Sequence, residues 1–482
     1  MVFSSTTFVF FFLPITLAGY YLCRSIRAKN IWLLAASLFF YFWGGPAFLP
    51  IFLICICFNY FGGLIISRMQ SRENETAAKI VFIFVLAGNI LNLCYWKYTG
   101  FIINTINTWL HTKIQVPSIV LPIGISFFTF QGMSYVIDLY RKKVPVQKKL
   151  INIALYIAMF PQLIAGPIVR YESIVKQIVC RKCTVEDFAS GIRLFVIGLS
   201  KKLIIANSVA VIADKIFGLP ANENMVSVSW LGVVCYTFQL YFDFSGYSDM
   251  AIGLGRMFGF QFSANFNYPY ISRSVSEFWK RWHISLSSWF RDYVYIPLGG
   301  SRTGNVYFNL LCVFFLTGLW HGASWNFVLW GLLFAVFTIL ERFIKRHSIA
   351  DHKNNMVSVQ GALLSVAGWA YIMFIWIMSM VLFRADNLHD AGSYYLSLFG
   401  VNKLHNVAFS MSYYIHSYEI FILAVATFFS FPIARNIYSF LKSKLPQNGF
   451  TVLINLATLL LFAVDVLYIL TETYNPFIYF RF

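Results

Sequence analysis

The chain has 482 residues, of which 59% are apolar and only 12% are charged, about half the fraction typical of soluble domains. This composition excludes a disordered chain, a coiled coil and a disulfide-stapled module, and it argues against a soluble enzyme, whose surface needs more charge. The formal net charge is +18. In so apolar a chain this excess favours basic loops facing an anionic cytoplasmic leaflet over nucleic-acid binding.

Apolar runs of the length that membrane helices need, roughly 17–25 residues, follow one another along the chain. The predicted spans lie near 5–22, 31–44, 47–66, 79–96, 119–140, 150–166, 188–217, 228–255, 306–320, 324–343, 361–383, 417–434 and 451–471. Some runs are short and others are interrupted by charges. They predict an all-α fold of 11 to 13 transmembrane or re-entrant helices, in one undivided membrane domain over 1–482 with its motif-bearing core at about 119–343.

Basic clusters at 24–29, 68–79 and 141–149 set the predicted orientation, because two crossings separate each neighbouring pair. The positive-inside rule places all three in the cytoplasm. We therefore expect the N-terminus and the 97–118 loop to face outward. Residues 1–6 carry no side-chain positive charge, so the apolar run after them is predicted to stay as a membrane helix.

Cys180 and Cys183 have a motif-like spacing, but no second cysteine pair or nearby histidine completes a zinc site. We expect two free thiols in a basic loop and no bound metal or cofactor.

Ionisable residues crowd into the stretch from 241 to 326, although charge is scarce in the chain. Such groups are costly at membrane depth, so they face a bundle interior or a wet cavity and usually mark function. The stretches 266–269 and 297–300, rich in Pro and Gly, interrupt the helical pattern. Irregular backbone at this depth survives only inside protein or beside a cavity. This third of the chain is the predicted site.

Residues 277–292 predict a single amphipathic helix. At 3.6 residues per turn one apolar stripe forms, made of Phe278, Trp282, Leu286, Trp289 and Tyr293. Another face carries Lys280, Ser287 and Arg291, with His283 at its edge. One interpretation is an interfacial helix anchored to headgroups. The other is a cationic floor for a phosphate-bearing donor, since Arg and Lys supply the counter-charge.

His321 follows a charge-free apolar run and is framed by Trp320, Gly322 and Trp325. A neutral imidazole can take a proton from a hydroxyl or thiol near pH 7, which suits general-base catalysis. The alternative is a buried histidine bonded to a carbonyl. From the residues alone the two interpretations are about equal.

Asp243 and Asp249 are six residues apart and therefore about 120° apart around a helix. They do not share a face, so a paired-carboxylate mechanism is not predicted. We expect each to pair with a nearby Arg or Lys and to orient a histidine.

Taken together, these stretches resemble the membrane-bound O-acyltransferase (MBOAT) family, and within it the bacterial alginate O-acetyltransferase-like membrane subunits. The matching segments are 1–5, 121–127, 241–249, 277–286 (with His283), 295–300, 318–322 (with His321) and 475–482. They run from end to end, and the two histidine-bearing segments are highly specific in combination.

The resemblance implies a helical bundle around a central tunnel, with His321 as the family's essential histidine and His283 at the second, more variable site. It also implies that acetyl is taken from cytoplasmic acetyl-CoA and moved outward across a bacterial inner membrane, for O-acetylation of a polysaccharide such as alginate or peptidoglycan. A separate extracytoplasmic partner of the SGNH type would finish the transfer. The residues predicted to bind the donor or support the site are Asp243, Ser245, Tyr247, Asp249, Glu277, Lys280, Arg281, Trp282, Arg291, Trp320 and Asn326.

Two other functions remain open at this stage. A transporter or exporter of an anionic envelope component would also need a basic lining, but the internal duplication common in transporters is not visible here. Acylation of a lipid or protein acceptor, as in other branches of the family, is the third possibility.

Overall fold

The computed structural model describes residues 1–164, 166–220, 223–348, 359–401, 409–471 and 474–476. Within these ranges every regular element is helical, which confirms the predicted all-α class. The exact number of crossings and the central tunnel stay predictions. Most of the closing motif, from 477 onward, lies outside the described residues.

The chain forms two compact units. The first comprises 1–195 and 247–263. Its helices are α1 (Leu13–Leu22), α2 (Ile26–Gly44), α3 (Leu49–Ser71), α4 (Glu75–Leu93), α5 (Thr99–Leu110), α6 (Ile125–Tyr140), α7 (Leu150–Ala158), α8 (Phe160–Leu163) and α9 (Tyr171–Val179). Two further helices, α10 (Val185–Ser200) and α12 (Val226–Met257), contribute residues to both units.

The second unit comprises 196–246 and 264–482. Besides parts of α10 and α12, its described helices are α11 (Asn207–Phe217), α13 (Val275–Arg281), α14 (Ile284–Phe290), α15 (Val306–His321), α16 (Trp325–Ser348), α17 (Val359–Arg384), α18 (Leu388–Leu398), α19 (Met411–Tyr414), α20 (Ser417–Ser430), α21 (Ile433–Lys444) and α22 (Gln447–Thr471). Turns of π-helix cover Phe8–Phe12, Cys94–Tyr98, Lys201–Ala206 and Arg291–Tyr295, and turns of 3₁₀-helix cover Pro46–Phe48 and Pro269–Ile271.

Six helical stretches among the described residues are long and apolar enough to cross a bilayer. They are Pro46–Ser71, Glu75–Leu110, Val185–Phe217, Trp325–Ile344, Leu363–Arg384 and Gln447–Thr471. A seventh is formed if α20 and α21, bent by 66°, count as one span, and Phe8–Leu22 and Val306–His321 are shorter apolar helices. The chain is a multi-pass membrane protein.

Side-chain exposure on α22 fits a helix that faces lipid. Leu459, Leu460, Leu467 and Leu470 are each more than half exposed. An apolar surface of this kind is stable against acyl chains but not against water.

The structure corrects three details of the predicted spans. The 119–140 run becomes helical only at Ile125, because Pro122 precedes it and Gly124 adopts a left-handed conformation with φ of 72°. The 150–166 run breaks at Met159 into α7 and α8. The loop predicted at 97–118 is helical as far as Leu110.

Candidate active site

His321 is the last residue of α15, and its side chain is buried. Its ring packs edge-on against Trp320 (centroids 4.8 Å apart), Trp330 of α16 (5.0 Å) and Phe383 of α17 (5.1 Å). Three aromatic walls therefore surround the imidazole. Such a pocket excludes water and fixes the ring orientation.

Glycines bring α15 and α16 close enough to build this pocket. A Cβ on Gly318 would lie 2.3 Å from the carbonyl oxygen of Phe327, and one on Gly331 would lie 2.2 Å from that of Phe314. Gly322, which ends α15, would place a Cβ 2.1 Å from the Phe327 ring. No side chain fits at these three positions, so the close crossing depends on glycine, as is common between membrane helices.

His283 lies at a sharp break between α13 and α14. Its φ of 42° and ψ of 55° are left-handed, and the two helices on either side are only seven residues long. The predicted continuous amphipathic helix over 277–292 is therefore wrong. The peptide NH of Ile284 donates to the Asn265 carbonyl (2.9 Å), and that of Asn267 donates to the Arg281 carbonyl (2.9 Å). These tertiary bonds replace the helical ones at the break.

The side chain of Asn265 fixes the protonation of His283. Its Oδ1 accepts hydrogen bonds from the Ser285 NH (3.1 Å) and the Ser285 hydroxyl (2.8 Å), and it lies 3.2 Å from His283 Nδ1. Because a peptide NH can only donate, the atom facing it must be the amide oxygen, and Nδ1 must carry the proton. The Nε2 of His283 is then an acceptor.

Burial keeps this imidazole neutral. His283 is fully buried, and desolvation lowers its pKa well below the ordinary value of 6.5. At neutral pH the ring can accept a proton only transiently, in a step that a reacting group drives.

The indole ring of Trp320 is in contact with both histidines. Trp320 packs against His283 (5.5 Å) as well as His321 (4.8 Å), and Phe244 of α12 closes the other side of His283 (4.6 Å, edge-on). Trp282 lies buried in the aromatic layer beside His283, stacked on Phe278 and against Trp376. The structure thus brings together the two histidines that the sequence singled out, with both neighbouring tryptophans.

Asp243 pairs with a lysine that sequence reasoning missed. Its carboxylate lies 2.6 Å from the ammonium of Lys202, and the two side chains are only 2% and 3% exposed. Lys202 also donates to the Pro476 carbonyl. Asp243 was expected to pair with a nearby Arg or Lys and to orient a histidine. The structure gives it a lysine partner, and the orientation of a histidine stays a prediction. Its helix neighbour Phe244 is the residue that contacts His283.

The basic residues of α13 and α14 have different environments. Arg281 pairs with Glu277 (2.9 Å) and donates to the Asn267 carbonyl, so these two residues stabilise the break. Lys280 and Arg291 line a cleft of about 410 Å³ together with Ser287, Trp279 and Thr317. We call it the Lys280 cleft. Arg291 is also paired with Asp292 (2.7 Å).

The Lys280 cleft adjoins the histidine pocket through two tryptophans. Trp279, in its wall, packs edge-on against Trp330 (5.8 Å), and Trp330 contacts His321. Its lining combines two cations and several hydroxyls with apolar side chains. This lining suits a donor that carries both phosphate and apolar groups.

The remaining predicted site residues are scattered. Asn326 donates to the Ala385 carbonyl (2.7 Å) and so ties α16 to the end of α17. Ser245 is buried, and its hydroxyl makes no hydrogen bond with the described residues. Tyr247 and Asp249 belong to the first unit, where Tyr247 stacks on Phe3 (4.4 Å).

Glu341 of α16 is a further supporting residue that the sequence did not reveal. Its buried carboxylate accepts hydrogen bonds from the peptide NH groups of Val275 and Ser276 at the start of α13. A carboxylate at a helix N-terminus satisfies free donors and favours the helix dipole. It thereby holds α13 and the break after it against α16.

The chain matches known proteins along its whole length. It is 38% identical to a probable alginate O-acetylase of Azotobacter vinelandii over all of both chains. It is 34% identical to a peptidoglycan O-acetyltransferase of Helicobacter pylori over 83% of this chain and 80% of that protein. A teichoic acid D-alanyltransferase of Bacillus subtilis is 30% identical over 61% of this chain and 76% of that protein.

The profile of the membrane-bound O-acyltransferase family matches residues 128–384. This range contains both imidazoles, Trp320 and the residues of the Lys280 cleft. With aromatic-walled histidines beside a cationic cleft and full-length relatives of the same class, the chain belongs to the membrane-bound O-acyltransferase (MBOAT) family and is a multi-pass membrane acyltransferase.

Proposed function

We propose that this acyltransferase moves an acetyl group from a cytoplasmic acyl-CoA across the membrane, for O-acetylation of an extracytoplasmic polysaccharide. The observation that carries the proposal is the arrangement of His321 and His283 on one indole, next to a cleft that bears Lys280 and Arg291. The relatives named as O-acetyltransferases of alginate and of peptidoglycan support acetyl as the group and a glycan as the acceptor.

The donor is proposed to bind in the Lys280 cleft. Its phosphates would contact the Lys280 ammonium and the Arg291 guanidinium at the rim, and its thioester arm would follow the apolar wall towards Trp279. Arg281 is held by Glu277 and is not among the residues that line the cleft, whereas Arg291 lines it. We therefore assign Arg281 to the fold of the break rather than to the donor. No bound cofactor is invoked, since acyl-CoA is a substrate.

His321 is proposed to act as the general base. It takes the proton of the incoming hydroxyl while the hydroxyl oxygen attacks the thioester carbonyl. As the C–S bond breaks, the protonated imidazole returns this proton to the CoA sulfur, so that free CoA thiol leaves and the acetyl group stays on the hydroxyl oxygen as an ester. A positioned base contributes about 10²–10⁴-fold to the rate. His283, neutral with its proton on Nδ1, assists positioning or proton movement.

Charge distribution in the second unit supports the direction of transfer. The sequence 342–353 carries Arg342, Lys345, Arg346 and Lys353, and α21 carries three more cations, whereas 218–225 carries no Lys or Arg and 385–416 carries only Lys403. By the positive-inside rule the first two segments are cytoplasmic and the last two extracytoplasmic. If α15, α16 and α17 cross in alternating directions, the Lys280 cleft faces the cytoplasm and Arg384 faces the outside, and this is the orientation that we propose.

On the extracytoplasmic side, the acetyl group is proposed to pass to a partner protein and then to a polysaccharide. We propose that a separate extracytoplasmic acetyltransferase of the SGNH type completes the transfer to the polysaccharide in a bacterial inner membrane. The N-terminus is proposed to face outward, as the basic clusters of the first unit predict.

Vesicles of known orientation test the proposal. Inside-out vesicles that contain the protein, its polysaccharide and the partner are given acetyl-CoA labelled in the acetyl group. We expect label on luminal polysaccharide in these vesicles and none in right-side-out vesicles. His321→Ala should abolish the label, whereas His389→Ala, at an exposed histidine of α18, should not. Label in right-side-out vesicles, or on lipid instead of glycan, would contradict the proposal.

A further inference from the structure

A second cleft, away from the two imidazoles, lies along α11, beside the start of α20 and the end of α22. Its volume is about 410 Å³, within the roughly 300–1,000 Å³ typical of small-ligand sites. Its lining includes Asn207, Lys215, Tyr413, His416, Tyr418 and Tyr474. We call it the Tyr413 cleft. None of these residues has a role in the acyl chemistry proposed above.

Tyrosine rings dominate the exposed part of this cleft. Tyr413 is 50% exposed and stacks one face on Phe409 with centroids 4.0 Å apart, and Tyr418 and Tyr474 are 46% and 40% exposed. A tyrosine offers an apolar face and a polar edge together. A sugar ring has the matching pattern, with an apolar face of C–H groups and a rim of hydroxyls.

A buried amide supplies an unused acceptor in the same cleft. Asn207 is 1% exposed and directs its NH₂ towards the Tyr474 carbonyl and the Asn475 side chain, each at 3.4 Å. Its Oδ1 accepts no hydrogen bond from the part of the chain that the structure describes. Leaving a buried acceptor unsatisfied costs about 1–3 kcal/mol, but this oxygen has almost no accessible surface, so a ligand hydroxyl reaches it only if the lining moves.

The lining carries the Lys215 ammonium and the Glu419 carboxylate. Lys215 is exposed and forms no ion pair within the described ranges, whereas its neighbour Asp214 is bound by Arg384 (2.7 Å) and by the Tyr474 hydroxyl. Glu419 is occupied by the NH and ring of His416. The free cation favours a ligand that carries a carboxylate.

The cleft is linked to the histidine pocket through a short path. Asp214, adjacent to Lys215, pairs with Arg384, and the residue before Arg384 is Phe383, which packs on His321 (5.1 Å). Because the Tyr474 hydroxyl in the cleft also binds Asp214, the cleft is connected by contacts to Arg384, which is proposed above to face outward.

From these contacts we infer that the Tyr413 cleft binds a carboxylate-bearing sugar unit of the polysaccharide. The inference rests on the proposed function for the outward position of the cleft and for the presence of a glycan. A protein partner fits less well, because a stable interface covers about 800 Å² on each partner, whereas a cleft of about 410 Å³ has the size of a small-ligand site.

Binding of defined oligosaccharides to the full chain in nanodiscs tests the inference. The probes are a hexuronate tetrasaccharide, an oligomer containing muramic acid, and a neutral glucose tetrasaccharide. We expect at least one carboxylate-bearing probe to bind, and the neutral probe to bind at least tenfold more weakly. Comparing the two charged probes shows whether the bound carboxylate belongs to a hexuronate or to muramic acid.

Variants at exposed positions provide the matched comparison. Tyr413→Ala and Lys215→Gln should weaken binding at least tenfold. Tyr438→Ala and Lys442→Gln, at exposed positions on α21, should leave it unchanged. The thermal unfolding midpoint of each variant shows whether it is folded. The inference fails if neither charged probe binds, or if Tyr413→Ala and Tyr438→Ala bind the oligosaccharides equally well. It also fails if the cleft variants lose binding of a protein partner while oligosaccharide binding is unchanged.

Acetyl-CoA cleavage by the wild-type protein, measured in the same nanodiscs, separates this inference from the proposed function. Cleavage without oligosaccharide binding would overturn the assignment of the cleft alone. Oligosaccharide binding without cleavage would overturn the acyl transfer and leave the cleft assigned.

Discussion

Single buried charges in this chain are held by specific partners. The ion pair between Lys202 and Asp243 is nearly inaccessible to solvent, and such pairs contribute less net stability than their short distance suggests, because both ions lose hydration. Removing one partner is far more costly than removing both, since it leaves an uncompensated charge.

A double-mutant cycle on this pair tests its role. We expect Lys202→Met alone to lower the free energy of unfolding by about 3–5 kcal/mol. The double variant with Asp243→Leu should recover most of that loss, because neither charge remains. Denaturant unfolding in detergent measures Lys202→Met, Asp243→Leu and the double variant against the wild type. A double variant as unstable as Lys202→Met would contradict the account.

The neutral state of His283 predicts a pH dependence of stability. Its pKa is lowered in the fold, so the unfolded chain binds a proton near pH 6.5 that the native chain does not. The stabilisation is complete above pH 6.5 and is lost as the pH falls, by up to about 1.4 kcal/mol per pH unit.

Comparison with His283→Gln isolates this contribution, since the other histidines are shared. Between pH 7 and 5 the wild type should lose more unfolding free energy than the variant, in urea titrations at each pH. Parallel pH curves for the two proteins would show that His283 is not held neutral.

At residue scale, the sequence singled out the two histidines and the tryptophan beside each, because ionisable and aromatic residues are concentrated around them. The structure brings these four residues together, and their roles in the reaction stay predictions. Lys202 and Asn265 could not be predicted. A lysine in an apolar helical run has no local sign of its partner about 40 residues away. An asparagine whose oxygen fixes a tautomer looks like any polar loop residue.

Element by element, periodicity predicted most helices to within a few residues but not the break at His283. The apolar stripe over 277–292 fits one helix well. Contacts with Asn265 and Asn267 outweigh it, and sequence spacing does not contain such tertiary contacts. The break separates Lys280 from Ser287 and Arg291 along the chain, yet all three line the same cleft.

Neutralising the two rim cations tests the donor assignment. Lys280→Gln and Arg291→Gln should raise KM for acetyl-CoA by about tenfold each, the effect of roughly 1.4 kcal/mol of lost binding. KM for S-acetylpantetheine, which has no phosphate, should stay nearly constant. Lys442→Gln is the control at a distant exposed cation. Equal effects on both donors would contradict phosphate binding at this rim.

The α15–α16 crossing supports a prediction about glycine. Gly318→Ala should destabilise the protein by about 1–3 kcal/mol, because its Cβ would overlap the Phe327 backbone and force the helices apart. Acetyl-CoA cleavage should fall with it, since His321 is held against Trp330 by this crossing. Thermal unfolding and initial rates measure both effects.

Gly449→Ala, on α22, is the matched control. No atom lies within 4 Å of its ideal Cβ, and alanine favours a helix by up to about 1 kcal/mol. It should leave stability equal or slightly higher. The close-crossing argument would be wrong if both alanine variants lost stability alike.

Across the whole molecule, composition predicted a multi-pass helical membrane protein, because 59% apolar residues cannot be covered in a soluble fold. The contact pattern of two compact units could not be read from sequence, since no linker or shift in composition marks their borders. Tyr247 and Asp249 were grouped with Asp243 because the sequence shows no border between them. In the structure Asp243 belongs to the second unit, whereas Tyr247 and Asp249 belong to the first, although all three lie on α12.

The central claim is that His321 performs acyl transfer. Its most direct test is acetyl-CoA cleavage by the purified chain in nanodiscs, comparing wild type, His321→Ala and His389→Ala at matched folded fractions. We expect His321→Ala to lower the rate by about 10²–10⁴-fold and His389→Ala to keep the wild-type rate. A His321→Ala variant that is folded and cleaves acetyl-CoA as fast as the wild type would contradict it.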